Sequence, residues 1–122
     1  MTEEEREEAL ALVSVAFDYI NKNPNIAENY YNLGLAINNY NDFYNEYNIQ
    51  VEENDQMAMD AYNYAIKLDP NLAKAYLKRG YMYFKKKEYN LCKADWEKAV
   101  ALDPRNIEYK KQLEQLKTAL NE

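Results

Sequence analysis

Apolar residues return every three or four positions along most of the chain, with charged and amide side chains between them, and this spacing predicts helices. In residues 2 to about 22 the apolar face includes Ala9, Val13 and Ala16, behind a glutamate-rich first turn that suits the positive end of a helix. Similar apolar faces recur in the later segments, and the last of them lies in residues 107 to about 120. The pattern therefore predicts about six helices and no sheet.

The stretch from Ala73 to Pro104 reads as two helices that close on each other. Its first helix carries Gly80 between two tyrosines, and its second carries Cys92, Trp96 and Ala99 at intervals of four and three residues. Small residues at these positions allow two backbones to approach closely, while aromatic rings fill the space around the contact. The final proline ends the second helix, because it cannot donate the next backbone hydrogen bond.

The same helix-ending motif occurs twice: Leu68-Asp69-Pro70 lies 34 residues before Leu102-Asp103-Pro104. This spacing resembles the tetratricopeptide repeat, whose aromatic-x2-L-G-x2-Y, A-x3-F and P positions recur with a 34-residue period. Arg79 stands where leucine is commonest, and Cys92 stands where alanine is commonest. The resemblance implies an all-α fold, a short right-handed α-solenoid of antiparallel helix pairs in which the first helix of each pair lines a concave surface.

On this basis the chain is one domain of four segments. Residues 1–24 form an N-terminal helix that resembles the second helix of a repeat. Residues 25–70 form a repeat with an insertion near 41–54, residues 71–104 form a complete repeat, and residues 105–122 form a capping helix. The cap is expected because a terminal repeat needs a polar outer face.

The insertion lengthens the first repeat, because Pro24 and Pro70 are 46 residues apart, 12 more than the period. No glycine or proline interrupts it, so we expect it to extend both helices into a protruding hairpin tip. Its apolar side chains either pack on one another or form an exposed contact site; they are Phe43, Tyr44, Tyr47, Ile49 and Val51.

The composition excludes several kinds of chemical site. The chain of 122 residues has no histidine and one cysteine, so it cannot form an internal disulfide, a thiol-and-imidazole metal cage or a histidine-dependent catalytic triad. It has no glycine-rich phosphate loop, and its first apolar run is too short for a signal peptide or a membrane span. We therefore expect a soluble, cytoplasmic protein that is not an enzyme and has no cofactor or metal.

Charge is unevenly distributed along the chain. Residues 1–60 carry two basic and 13 acidic side chains, a net charge of −11, whereas residues 61–122 carry 13 basic and eight acidic ones, a net charge of +5. The basic half is suited to acidic peptide segments. Nucleic acid is not an expected partner of a chain whose net charge is −6.

Candidate binding residues lie on the predicted inner faces of the first helices. Lys74, Lys78, Tyr81 and Lys85 follow one another at i, i+4, i+7 and i+11 and form a single stripe. The default alternative is a solvated polar face or a surface for another protein partner.

Some tetratricopeptide repeat proteins grip the C-terminal carboxylates of chaperone peptides with a lysine and an asparagine from one repeat, an asparagine from the next and two basic residues from a third. By motif position Asn32, Lys74 and Lys78 resemble the last three of these. The helix that would carry the first two would precede Thr2, so the resemblance covers only part of such a clamp. Tyr31 and Leu35 are expected to add apolar contacts beside the cations.

The leading hypothesis is a non-catalytic protein-interaction module that holds a partner peptide, with an acidic C-terminal tail as the specific candidate. The alternatives are a structural protein that assembles with copies of itself through its oppositely charged halves, and an engineered or truncated repeat protein. The irregular, asparagine-rich insertion argues against a consensus design.

Overall fold

The computed structural model describes residues 2–46 and 52–122, and it describes side chains over 2–40 and 55–122. These residues form six helices and no strand: α1 Glu3–Lys22, α2 Ala27–Glu46, α3 Glu52–Leu68, α4 Ala73–Lys85, α5 Tyr89–Leu102 and α6 Ile107–Ala119. The all-α prediction is confirmed. The helices fall into two units, residues 1–70 (unit 1) and residues 71–122 (unit 2).

A capping box starts α1. The Thr2 hydroxyl accepts a hydrogen bond from the Glu5 backbone N–H at 3.1 Å, and the Thr2 N–H donates to the Glu5 carboxylate at 2.9 Å. These two bonds satisfy backbone groups that a helix start leaves unpaired. The helix ends at Lys22, and Asn29 of α2 donates its side-chain amide to the carbonyl oxygens of Tyr19 and Asn23. The end of α1 is thereby tied to the start of α2.

In unit 1, α2 packs against both α1 and α3. Gly34 lies directly under the ring of Tyr62, where a Cβ atom would overlap the ring. The Tyr62 hydroxyl accepts a hydrogen bond from the Asn38 amide at 2.7 Å, so this fully buried phenol is paired. Ala58 and Ala65 on the same face of α3 are also fully buried. A close helix contact with one aromatic filler therefore holds α2 to α3.

Unit 2 repeats this contact between α4 and α5. Gly80 lies under the indole of Trp96, and the Trp96 Nε1–H donates to the Leu77 carbonyl oxygen at 3.0 Å. Packing of α6 on α5 then buries Leu113 and Leu116 against Cys92 and Trp96. The small-residue contact between α4 and α5 and the packing of α6 thus share one apolar core.

The two helices beside the insertion are longer than their counterparts in unit 2. Helices α2 and α3 have 20 and 17 residues, while α4 and α5 have 13 and 14. The expected hairpin tip lies outside the described residues, as do Tyr47, Ile49, Val51 and the side chains of Phe43 and Tyr44. The division of the chain into four segments stays a prediction.

Candidate functional site

The candidate binding residues lie on α2 in unit 1 and on α4 in unit 2. Tyr31, Asn32 and Leu35 belong to α2 in unit 1, and Lys74, Lys78, Tyr81 and Lys85 belong to α4 in unit 2. We call the second set the lysine stripe. The residues fall in two surfaces, which are described separately below.

The lysine stripe runs along the side of α4 that faces away from the Gly80 contact. Lys74 and Lys78 are half-buried, whereas Lys85 is exposed and 49% of the Tyr81 surface is accessible. The Lys85 ammonium lies 5.7 Å from the centroid of the Tyr81 ring, within the range of a cation–π interaction. The stripe therefore combines cationic groups with an accessible aromatic ring.

Helix α6 borders this stripe. Lys78 and Tyr81 line a small pocket of about 190 Å³ together with Leu77, also of α4, and Gln112 of α6. Burial raises the pKa of Tyr109, Asp103 adds to the rise, and the positive charge of Lys74 partly offsets it. The pocket therefore brings an ammonium, a phenol and an amide together.

Contacts on the opposite side of α4 fix the orientation of the lysine stripe. The Arg79 guanidinium donates two hydrogen bonds to the carboxylate of Asp95, from Nε at 2.8 Å and from Nη2 at 2.7 Å. This pair lies next to the contact of Gly80 with Trp96. Because α4 is held to α5 by both an apolar and an ionic contact, its outward face is preorganised.

Asn32 and Leu35 line a different surface, the groove between α1 and α2. The groove has a volume of about 330 Å³, and α1 contributes Leu12, Val15, Ala16 and Tyr19, while α2 contributes Asn32, Leu35, Ala36 and Asn39. We call it the α1–α2 groove. Most of its lining is apolar, with two asparagine amides and the Tyr19 hydroxyl as polar groups.

Tyr31 has little surface to offer a ligand, in contrast to the expectation of an apolar contact beside the cations. Only 8% of its surface is accessible, and its ring lies 6.0 Å from that of Tyr62, centroid to centroid. The reason is its position on α2, which places the ring toward α3. Tyr31 therefore contributes to the core of unit 1.

A third pocket, of about 410 Å³, was not indicated by the sequence pattern. It lies at the turn from α4 to α5 and beside the end of α6. Its lining residues are Lys87, Glu88, Tyr89, Asn90, Leu91 and Leu120. The run of lysines that ends two residues before Tyr89 is equally typical of a solvated turn, so it does not reveal the pocket.

The one thiol of the chain lies in the core. Cys92 is fully buried, and burial raises the pKa of its thiol to about 12, with a further contribution from Asp95. A thiol in this state is protonated near neutral pH and is a poor nucleophile. Among the described residues, no cluster of three or more carboxylate, thiol or imidazole groups is arranged to hold a metal ion.

Family comparisons match the chain to repeat models. A model described as "Tetratricopeptide repeat" matches residues 73–106, and a model described as "TPR repeat" matches residues 54–87. The DnaJ homolog subfamily C member 7 homolog of Dictyostelium discoideum is 38% identical over 55 residues, which are 45% of this chain. The matched part corresponds to 10% of that protein's length.

Solved structures of similar fold cover nearly the whole chain. The TPR domain of Arabidopsis OM64 has a TM-score of 0.73 at 23% identity, over 96% of this chain and 92% of that one. The second TPR domain of human RPAP3, solved in complex with the HSP70 peptide SGPTIEEVD, has a TM-score of 0.66 at 21% identity, over 86% and 78%. In the described part of the chain, no helix combines the length and apolar character needed to cross a membrane.

Proposed function

Because the chain is a tetratricopeptide repeat protein, we propose that it is a non-catalytic protein-interaction module and that the lysine stripe of α4 binds an acidic peptide segment. The observation that carries the proposal is the stripe itself. Three lysines, two of them half-buried, share one face of α4 with a tyrosine, and an ammonium, a phenol and an amide converge in the pocket beside α6.

Charge supports an acidic ligand over a basic one. Unit 2 carries 12 basic and seven acidic side chains, a net charge of +5. An extended peptide with carboxylates at its end would receive charge-assisted hydrogen bonds from Lys74 and Lys78, which are stronger than neutral ones. The exposed ring of Tyr81 adds an apolar surface for a neighbouring side chain of the peptide.

The RPAP3 domain indicates a suitable probe. Its peptide, SGPTIEEVD, ends in two glutamates, a valine and an aspartate, which is the chemistry that a lysine stripe would attract. At 21% identity the likeness is one of fold, so the ligand preference of this chain rests on its own residues. Asn32 belongs to unit 1, so it is not included in the proposed site, which consists of residues of α4.

The test is a fluorescence anisotropy titration of the intact protein with labelled SGPTIEEVD. We expect micromolar or weaker binding, because about two charge-assisted contacts are available, and binding should weaken as salt rises. Amidation of the peptide's C-terminus should weaken it further, and a scrambled basic peptide should not bind at the stripe.

A matched pair of double variants locates the site. Lys74→Glu with Lys78→Glu should abolish binding without lowering the melting temperature, because both side chains lie outside the α4–α5 contact. Lys98→Glu with Lys111→Glu makes the same change in net charge at exposed positions on α5 and α6, so it should weaken binding only slightly. Equal binding by the two double variants would show that the lysine stripe is a solvated face.

A further inference from the structure

One face of α1 is open where the corresponding faces of α3 and α5 are covered. Counted back from the prolines that follow each helix, Leu12 and Tyr19 of α1 correspond to Ala58 and Ala65 of α3, and to Cys92 and Ala99 of α5. All four counterparts are completely buried. In contrast, 53% of Leu12 and 57% of Tyr19 is accessible. The face that a neighbouring helix buries in both repeats is thus half-exposed in α1.

This face forms one wall of the α1–α2 groove. Leu12, Val15 and Tyr19 follow one another at i, i+3 and i+7 along α1, and α2 contributes Leu35 and Ala36 to the groove lining. Seven residues of helix span about 10 Å. A helix with apolar side chains at i, i+4 and i+7 presents a stripe of the same length, so the groove matches the apolar face of a single helix of about two turns.

The size of the α1 side chains determines how such a helix packs. In α3 and α5 the small residues allow the partner backbone to approach closely, with a glycine at the crossing. Leu12 and Tyr19 are too large for that approach, so a helix in the groove must contribute its own large side chains, which interdigitate with them at an ordinary interaxial distance of about 8–10 Å.

The negative charge around the groove indicates that a helix bound there would be basic. The same side of α1 continues toward its N-terminus with Glu8 and Glu5, three or four residues apart. Unit 1 as a whole carries 14 acidic and three basic side chains. An acidic helix would be repelled by this surface, whereas a helix with lysines or arginines beside its apolar stripe would be attracted.

We propose that the α1–α2 groove binds a basic amphipathic helix of a partner protein, with its apolar stripe against Leu12, Val15 and Tyr19 and its cations beside Glu5 and Glu8. This site is separate in residues and opposite in charge preference from the lysine stripe, so it does not depend on the function proposed above.

The probe is a fluorescein-labelled peptide of about 14 residues, long enough to form a helix on a surface, with leucines at i, i+4, i+7 and i+11 and lysines at most other positions. Its controls are a scrambled peptide of the same composition without the apolar stripe, and an acidic version with glutamate in place of lysine. We expect saturable binding of the first peptide, at least tenfold weaker binding of the scrambled one and none of the acidic one.

Two substitutions on neighbouring residues of α1 test the location. Val15→Lys places an ammonium in the groove and should weaken binding at least tenfold. Ser14→Lys makes the same charge change one residue away, about 100° around the helix and outside the groove lining, and should weaken it less than threefold. Circular dichroism should show the same helix content and melting temperature in both variants. Equal affinities of the two variants would overturn the proposal.

A second pair keeps the test decisive if Val15→Lys disturbs the fold. Glu8→Lys should reduce affinity several-fold at low salt, and Glu7→Lys, on the side of α1 away from the groove, should reduce it less. If the protein sediments as a dimer that Val15→Lys dissociates, a second copy occupies the groove and the partner-helix proposal is wrong. The variant with Lys74→Glu and Lys78→Glu should bind the basic peptide normally, which separates this result from the test of the lysine stripe.

Discussion

The ion pair of Arg79 with Asp95 holds a carboxylate in the interior of unit 2. Only 7% of the Asp95 side chain is accessible, and its carboxylate accepts both guanidinium hydrogen bonds. The guanidinium also lies 5.4 Å from the ring centroid of Tyr76 and 5.9 Å from that of Tyr83. The hydrogen bonds to Asp95 raise the pKa of Arg79. Removal of either partner of such a pair leaves the other charge uncompensated in a buried position, which destabilises the fold.

We therefore expect Asp95→Ala to lower the free energy of unfolding by about 3 kcal/mol, because the substitution leaves the guanidinium beside an apolar core without a counter-charge. Urea denaturation monitored by circular dichroism measures the change. Lys86→Ala, at an exposed position after α4, is the control and should change stability by less than about 0.5 kcal/mol. Similar midpoints for the two variants would show that the ion pair contributes little.

The close helix contact in unit 2 gives a second residue-level prediction. Gly80→Leu has no room for its side chain beneath Trp96, and Trp96→Ala removes the indole that fills that space. Each should destabilise the protein by about 3 kcal/mol or more, the first by overpacking and the second by leaving a cavity. Thermal unfolding is the measurement, and a melting temperature within one degree of the wild type for either variant would contradict the assigned contact.

The buried thiol predicts a loss of stability in alkali. Burial raises the pKa of Cys92 from 9.0 to about 12, so the folded chain keeps a proton that the unfolded chain releases above pH 9. The stabilisation is complete below pH 9 and is lost as pH rises toward 12, at up to about 1.4 kcal/mol for each pH unit. Urea midpoints between pH 8 and pH 11 should fall with pH.

Cys92→Ala is the matching control, because Ala58 fills the corresponding position of unit 1. It should make the alkaline decline shallower, although the buried Tyr62 phenol, whose pKa is also raised by burial, keeps part of the slope. If wild type and Cys92→Ala decline in parallel, the thiol does not cause the loss.

Positions that belong to a repeated pattern are the ones whose contacts could be predicted from the sequence. Gly80, Cys92 and Trp96 could be placed at a helix contact because their spacing recurs with the period. The pairing of Arg79 with Asp95 could not be predicted, because the two residues are 16 positions apart and each alone looks like a solvated charge. The burial of Tyr31 was not predicted for a related reason. A tyrosine at the edge of a helix's apolar face can point toward solvent or toward the core, and in the structure its contact with Tyr62 places it in the core.

At the scale of elements, prolines and periodicity gave helix positions close to those observed. The helix predicted for residues 2 to about 22 is observed as Glu3–Lys22, with Thr2 as its N-cap. The ends of α1, α3 and α5 follow from the prolines two residues after each helix. The α1–α2 groove was not predicted, because periodicity shows which face of a helix is apolar but not whether another helix covers it.

The insertion provides the prediction at this scale. Deletion of about 12 residues between Asn41 and Glu52 restores the 34-residue period, so the shortened protein should remain helical and unfold cooperatively. Circular dichroism and urea denaturation test this. Loss of cooperative unfolding would show that the insertion belongs to the core of unit 1. Unchanged stability with lost binding of a partner would instead make the insertion a functional element.

At the scale of the whole molecule, the opposite charges of the two units are a property of the sequence alone. Unit 1 has a net charge of −11 and unit 2 a net charge of +5. Such asymmetry supports two different uses: each unit can attract a partner of the opposite charge, or the units of different copies can attract one another. Ionic strength distinguishes partner binding from self-assembly in the experiment below, because salt at about 0.1–0.15 M screens attraction between exposed charges more than about 8–10 Å apart.

If the protein is an interaction module, sedimentation velocity should give the mass of one chain, 14.5 kDa, at all salt concentrations from about 20 mM to 500 mM, where the screening length falls from about 20 Å to about 4 Å. If copies assemble through their charged units, a larger species should appear at low salt and shrink as salt is added. Lys74→Glu with Lys78→Glu should dissolve that species, because it lowers the positive charge of unit 2. Salt-dependent assembly that this double variant removes would therefore favour a structural role over the binding of acidic peptides, and a monomer under all conditions would exclude charge-paired assembly.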